Sequence, residues 1–236
     1  MSGKNNLKRK IRARSGWAVL MLALFVLLTA LLMKVDVRAI GPENSSVGLA
    51  GINGFVHEKL GTSDAFYKLT DLMGKADFLF VLAFAALGLV QLVRGRSLKA
   101  VDGSLYLLAG FYVVVGACYV LFEKFVVNCR PVLENGQLEA SFPSSHTLLA
   151  VTILGSAMVQ LRQRLHSRGL RTAVNVVFTM LMAVMAVGRL LSGVHWLTDI
   201  LGGVLLGAAL VLAYDALTLE LRRRERKKEK KRRARA

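Results

Sequence analysis

The sequence predicts an all-α, polytopic membrane protein: six transmembrane helices, with amphipathic helices on the outer face between the first and second spans. Three observations predict it. Of the 236 residues, 54% come from the apolar and aromatic set plus cysteine. Six stretches approach the roughly 20 apolar residues that a helix needs to cross a hydrocarbon core about 30 Å thick. The net charge of +17 gathers in alternate connections between them. The length suits one domain, and the composition excludes a disordered chain, collagen and an ordinary soluble globule.

The elements follow in order. Residues 1–16 form a basic N-terminus, 17–219 the six-span domain and 220–236 a basic tail. The spans cover 17–33, 76–93, 105–122, 147–161, 173–187 and 200–219, and all but the last carry ionisable residues only at their ends, where the cost of an unpaired charge is avoided. The first has a basic start like a signal peptide, but its apolar stretch is long and no A-x-A site follows, so it reads as an uncleaved anchor. Between the first two spans, residues 47–60 and 63–73 read as amphipathic helices lying on the outer surface, the second with Ser63 as N-cap and Gly74 past its end. Gly203-x3-Gly207, with Gly202 adjacent, marks a small-residue face for close helix packing. Two cysteines, Cys118 and Cys129, support no disulfide framework.

Positive charge is retained on the cytoplasmic side, which sets the orientation. Of 32 Lys and Arg, 24 lie in the N-terminus, the second and fourth connections and the tail. The other eight lie in 34–75, 123–146 and 188–199, which therefore face outward. Both termini are thus expected in the cytoplasm of a bacterial-type plasma membrane. The tail RRRERKKEKKRRARA reads as a partner of anionic cytoplasmic headgroups, with no role in nucleic-acid binding.

This topology brings two unusual connections to one face. The connection after the third span carries Lys124, Arg130, Pro131, Pro143, Ser144, Ser145 and His146; the one before the sixth carries Arg189, Ser192, His195 and Asp199. Cations at the ends of apolar helices make an anion site. His195 and Asp199 are four apart, so on one helical face the carboxylate can accept the Nδ1 proton and leave Nε2 nucleophilic. Ser192 reads as the N-cap of that helix, Arg189 offers a fixed fork of donors to phosphate oxygens, and a second imidazole, His146, can protonate a leaving oxygen. Both histidines are expected to face one cavity. A metal held by His146, His195 and Asp199 is disfavoured, because the neighbouring Arg and Lys repel a cation and already supply the positive charge.

At these residues the chain resembles the type 2 phosphatidic acid phosphatase family, the membrane branch of the acid phosphatase and vanadium haloperoxidase superfamily. Its signatures K-x6-R-P, P-S-G-H and S-R-x5-H-x3-D correspond here to KFVVNCRP (124–131), PSSH (143–146) and GRLLSGVHWLTD (188–199). The resemblance implies that His195 attacks phosphorus to give a phosphohistidine, that Asp199 orients it, and that His146 protonates the leaving group and then helps activate water. It implies that Arg130, Arg189 and Ser144, with Lys124 and Ser145, hold the phosphate oxygens, and that no metal or organic cofactor is needed.

Three departures stand out. Ser145 replaces the Gly of P-S-G-H, and Gly188 replaces the Ser before the arginine. Lys124 precedes Arg130 by six positions instead of seven, which on an ideal helix turns it roughly 120° away and puts Glu123 in its place. The implied activity is hydrolysis of a phosphate monoester or pyrophosphate of a membrane lipid at the outer face. Undecaprenyl pyrophosphate is favoured, then phosphatidic acid or phosphatidylglycerol phosphate. A lipid phosphotransferase and a non-catalytic lipid-binding member of the fold are the alternatives.

Overall fold

Apolar runs of this length can satisfy their backbone groups inside a bilayer as helices, and helices dominate the architecture. The computed structural model describes residues 2–134 and 136–234, with side chains from residue 5 onward; Lys4 and Arg235, counted among the terminal cations, lie outside the described side chains. In chain order come α1 (Ser2–Lys34), β1 (Arg38–Ala39), β2 (Ser46–Val47), α2 (Ala50–Leu60), α3 (Asp64–Gly95), α4 (Gly103–Lys124), α5 (Ser145–Arg164), α6 (Arg168–Leu191) and α7 (Leu197–Arg233). The strands form a two-residue antiparallel ribbon, Arg38 opposite Val47 and Ala39 opposite Ser46.

Among the described residues five helices, α1, α3, α4, α6 and α7, are long and apolar enough to cross a membrane. The stretch expected as the fourth span lies in α5, which is 20 residues long but more polar. Its surroundings explain the difference, for α5 packs against α3, α4, α6 and α7. Thr152 donates to the Leu148 carbonyl at 2.8 Å, Ser156 pairs with the Tyr112 hydroxyl at 3.1 Å, and Gln160 donates to the Ser104 carbonyl at 2.9 Å and to the Tyr214 hydroxyl. Bonded in this way, polar groups are tolerated in an apolar medium.

Two apolar clusters hold the bundle. Phe84, Leu108, Leu154 and Phe178 join α3 to α6, and Phe25, Phe142, Leu148 and Leu206 join α1, the loop before α5, α5 itself and α7. The glycine face read from the sequence is the α5–α7 seam: a Cβ on Gly203 would stand 2.9 Å from the Ser144 carbonyl oxygen, and one on Gly207 would stand 2.8 Å from Val151 Cγ1. Asp215, the ionisable residue inside the last apolar stretch, is buried and paired with Arg14 at 3.0 Å and with Arg162.

The structure corrects one local reading. Residues 63–73 are no separate surface helix: α3 starts at Asp64 and continues without a break through Gly74 to Gly95. A glycine inside a helix costs only about 1 kcal/mol, which the apolar run from Ala76 onward outweighs. The tail, in turn, continues α7 as helix to Arg233, making one element of 37 residues, about 55 Å long.

Candidate active site

The site forms where α6 ends, α7 begins and α5 starts beside them. Ser192 closes α6, its hydroxyl donating to the Arg189 carbonyl at 2.7 Å; it is not the N-cap of the next helix. That helix starts at Leu197, and Asp199 in its first turn folds its carboxylate back onto the Trp196 N–H at 2.9 Å. A carboxylate there satisfies an orphan donor and complements the positive helix end. The same Oδ2 lies 3.5 Å from His195 Nδ1, within ion-pairing reach and longer than a good hydrogen bond. Both side chains are buried, and among the described residues neither ring nitrogen of His195 has a hydrogen-bond partner. Burial, followed by the charges of Arg130, Arg189 and His146, pushes the His195 pKa well below the usual histidine value. The ring is therefore neutral near pH 7, with a lone pair for bond formation.

Arg189 is buried and spans the site from α6 to α3 and α5. One Nη lies 3.1 Å from His146 Nδ1, the other donates to Thr70 Oγ1 at 3.4 Å, and the guanidinium carbon sits 5.2 Å from the Tyr67 ring centre. Guanidinium only donates, so His146 Nδ1 accepts and neutral His146 carries its proton on Nε2. Nε2 points toward Asp71, with Oδ1 at 3.8 Å, and the other oxygen of that carboxylate holds Lys75 at 2.8 Å. Gly74 makes this approach feasible, since a Cβ there would stand 2.9 Å from His146 Cδ2.

Arg130 comes from the loop between α4 and α5, where the Cys129–Ala140 bridge pinches a short hairpin. Its N–H donates to the Glu139 carbonyl at 3.0 Å, and its buried guanidinium pairs with Glu134 and, at 3.3 Å, with Glu139. Tyr67 donates to Glu134 at 2.7 Å. Two links tie the loop to α7: the Trp196 indole donates to the Cys129 carbonyl at 2.7 Å, and the Ser144 N–H donates to the Asp199 carbonyl at 3.0 Å. Ser144 is the N-cap of α5, its Oγ accepting from the Thr147 N–H at 3.5 Å. His146 thus stands in the first turn of a 20-residue helix, beside free backbone N–H groups.

Of the residues singled out in the sequence, His195, Asp199, His146, Arg130, Arg189, Ser144 and Ser145 gather at this end of the bundle. Lys124 does not join them. It is the exposed last residue of α4, while Glu123 lines the hollow beside His195; the helix ends before Arg130, so Lys124 and Arg130 are not related by a helical phase. The two histidines, expected to face one cavity, border two adjoining hollows among the described residues. His146 borders a groove of about 460 Å³ between α3, α4 and α5, with Asp71, Lys75, Phe78 and Tyr112 among its walls; His195 borders a smaller hollow with Glu123 and Phe142, and Tyr119 and Ser145 stand at both.

Sequence reasoning passed over Tyr67, Thr70, Asp71, Glu134 and Glu139. Glu134 and Glu139 flank the arginine at four and nine positions, a signal of charge balance in a loop. Asp71 is hidden by its i,i+4 pairing with Lys75, which reads as an ordinary solvated helix face. Two guanidiniums, the buried imidazole of His195 and the second imidazole of His146 thus stand at one end of the bundle, interleaved with the carboxylates of Asp71, Glu134, Glu139 and Asp199. Among the described residues the Nε atoms of Arg130 and Arg189 are buried without hydrogen-bond partners, which fits donors directed at an anion.

Comparison with known proteins gives a concordant picture. The profile of the PAP2 superfamily matches residues 104–223. Among solved structures, the chain is similar to the crystal structure of the first transmembrane PAP2 type phosphatidylglycerolphosphate phosphatase from Bacillus subtilis, with a TM-score of 0.61 and 17% sequence identity over 87% of this chain and 96% of that one. No curated protein sequence matches significantly.

Proposed function

We propose, from the premise that this chain belongs to the PAP2 superfamily and is an integral membrane lipid phosphatase, that it hydrolyses a lipid pyrophosphate or phosphate monoester through a phosphohistidine on His195. The observation that carries this reading is a wholly buried His195, with Asp199 at 3.5 Å, among the charges of Arg130 and Arg189. His195 Nε2 attacks phosphorus while Asp199 holds the ring by its Nδ1 side. Arg130, Arg189 and the α5 N-terminus at Ser144 and Ser145 take the equatorial oxygens of the trigonal bipyramidal transition state, where charge develops. His146 delivers a proton to the leaving oxygen, then receives one from the water that cleaves the phosphohistidine. Lys124 has no part in holding phosphate on this reading.

The membrane arrangement belongs to the same proposal. α5 serves as a sixth span, shielded from lipid by its neighbours. Residues 1–16 and 220–236 are cytoplasmic, the tail lies against anionic headgroups, and the site is extracytoplasmic at headgroup height. An apolar groove beside His146 suits a lipid tail better than a soluble sugar or nucleotide. Undecaprenyl pyrophosphate is the favoured substrate, followed by phosphatidic acid and phosphatidylglycerol phosphate.

Purified protein in detergent, offered each of the three lipids, is expected to release phosphate, and His195→Ala to lose at least about a thousandfold of the rate. Equal release by that variant would sink the mechanism. Release from the monoesters alone would overturn the preferred substrate.

A further inference from the structure

We propose that Asp71 is the positioning partner of His146, so that the site holds two histidine–carboxylate pairs: His195 with Asp199 across the α6–α7 junction, and His146 with Asp71 between α5 and α3. The inference rests on the phosphatase reading above and deepens it. It starts from the contacts of His146, whose two ring nitrogens face opposite charges. Nδ1 meets Arg189 at 3.1 Å and Nε2 meets the Asp71 carboxylate at 3.8 Å. Because Arg189 can only donate, it blocks a proton on Nδ1 for as long as it stays there. A substrate phosphate draws the same guanidinium onto its own oxygens. Nδ1 is then free to take a proton from a monoanionic phosphate or from solvent, and Asp71 keeps Nε2–H in place and offsets the imidazolium charge.

The step then balances. The His195 Nε2 to phosphorus bond forms as the bond from phosphorus to the leaving oxygen breaks. That oxygen takes the proton of His146 Nδ1, whose electron pair returns to the ring, while Nε2–H remains with Asp71. The neutral ring next accepts a proton from the water that attacks the phosphohistidine, which restores the imidazolium. Gly74 lets the helix carrying Asp71 come this close, because a Cβ there would stand only 2.9 Å from His146 Cδ2. Lys75 grips the opposite oxygen of the carboxylate at 2.8 Å and weakens its hold on His146. The other charges bearing on the ring are Arg189 from α6, Arg130 and Glu134 from the α4–α5 loop, and His195 from the α6–α7 connection. Among the described residues Asp71 is the carboxylate within ion-pairing reach of the ring, at 3.8 Å.

The test is the rate profile from pH 5 to 9 for wild type, Asp71→Asn, Asp71→Glu and Lys75→Gln, each with whichever of the three lipids wild type hydrolyses fastest. Asp71→Asn is expected to lower kcat about 30-fold at pH 7.5, a fraction of the range typical of general acid catalysis, with KM changed less than about threefold. Its alkaline limb should move down by about one pH unit, since a neighbouring opposite charge favours the protonated ring by that order. Asp71→Glu should recover most of the rate. Lys75→Gln should move the limb upward, because it frees the carboxylate, whereas a merely structural Asp71–Lys75 pair would give both variants the same loss. An unshifted limb in Asp71→Asn, or matching losses in Asp71→Asn and Lys75→Gln, would overturn the role of Asp71 alone. Phosphate release by His195→Ala equal to wild type would overturn the phosphatase mechanism, and this inference with it.

Discussion

A single methyl group on the α5–α7 seam provides a sensitive probe of the site. In Gly203→Ala the new Cβ would meet the Ser144 carbonyl oxygen at 2.9 Å, Thr147 Cβ at 3.0 Å and the Leu148 nitrogen at 3.2 Å, where ordinary contact begins at 3.4 Å. Two of these atoms are backbone, so no rotamer relieves the clash and the helices must part by about half an ångström. Overpacking of this kind costs about 1–3 kcal/mol, a fall of roughly 2–12 °C in Tm for a chain of this size. The same movement loads the Ser144 N–H to Asp199 carbonyl bond, which ties the helix of His146 to that of Asp199. A misplacement on that scale costs about tenfold in kcat. Gly207→Ala is the comparator: its Cβ meets the Val151 side chain at 2.8 Å, one turn farther from the site. It should lose similar stability and less than about threefold in kcat. Thermal unfolding in detergent and phosphate release on the same preparations measure both. If Gly203→Ala melts with wild type and keeps its kcat, the seam does not set the geometry of the site.

Two further outcomes follow from buried charge. Glu134→Gln removes one of the two carboxylates on Arg130, so inhibition by inorganic phosphate should tighten about tenfold, read as Ki in a competition assay; a weaker or unchanged Ki would mean that Arg130 does not meet the anion. His195 is held neutral in the folded state while the unfolded chain titrates near pH 6.5, so its contribution to stability is full above that pH and is lost as the pH falls below it, by up to about tenfold in the folding equilibrium per pH unit. Melting followed from pH 7.5 to 5 should therefore show a shallower acid loss in His195→Gln than in wild type, and equal slopes would contradict a buried neutral ring.

Residues close together in the sequence were the legible ones. His195 stands two residues before α7 and meets Asp199 because that carboxylate folds back over the helix entry, and Glu123 borders the hollow from the last turn of α4 while Arg130 lies beyond that helix in the loop. Helix ends were less legible. Gly74 looked like a stop, yet α3 runs through it, because the helix needs a residue without a side chain where His146 passes. α5 is less apolar than its five companions because its neighbours are helices that bond Ser156 and Gln160, while Thr152 bonds back to its own helix, a fact of tertiary packing with no local signature. Asp71 was invisible for a related reason: pairing with Lys75 four residues on accounts for it locally, and its approach to His146 spans 75 positions of sequence. Most of the charge of +17 from which the topology was read lies in the exposed terminal segments and connections, whereas Arg130 and Arg189 are buried.

The central claim is a covalent bond between phosphorus and His195 Nε2. It is tested most directly by mixing the enzyme with substrate labelled in the departing phosphoryl group, quenching under alkaline conditions within milliseconds, and mapping the label by peptide mass spectrometry. The account predicts acid-labile label on the peptide containing His195, present in wild type, absent in His195→Ala and prolonged where hydrolysis of the intermediate is slowed in His146→Ala with an activated leaving group. Label on any other residue, or full turnover with no labelled protein at any time, would contradict it.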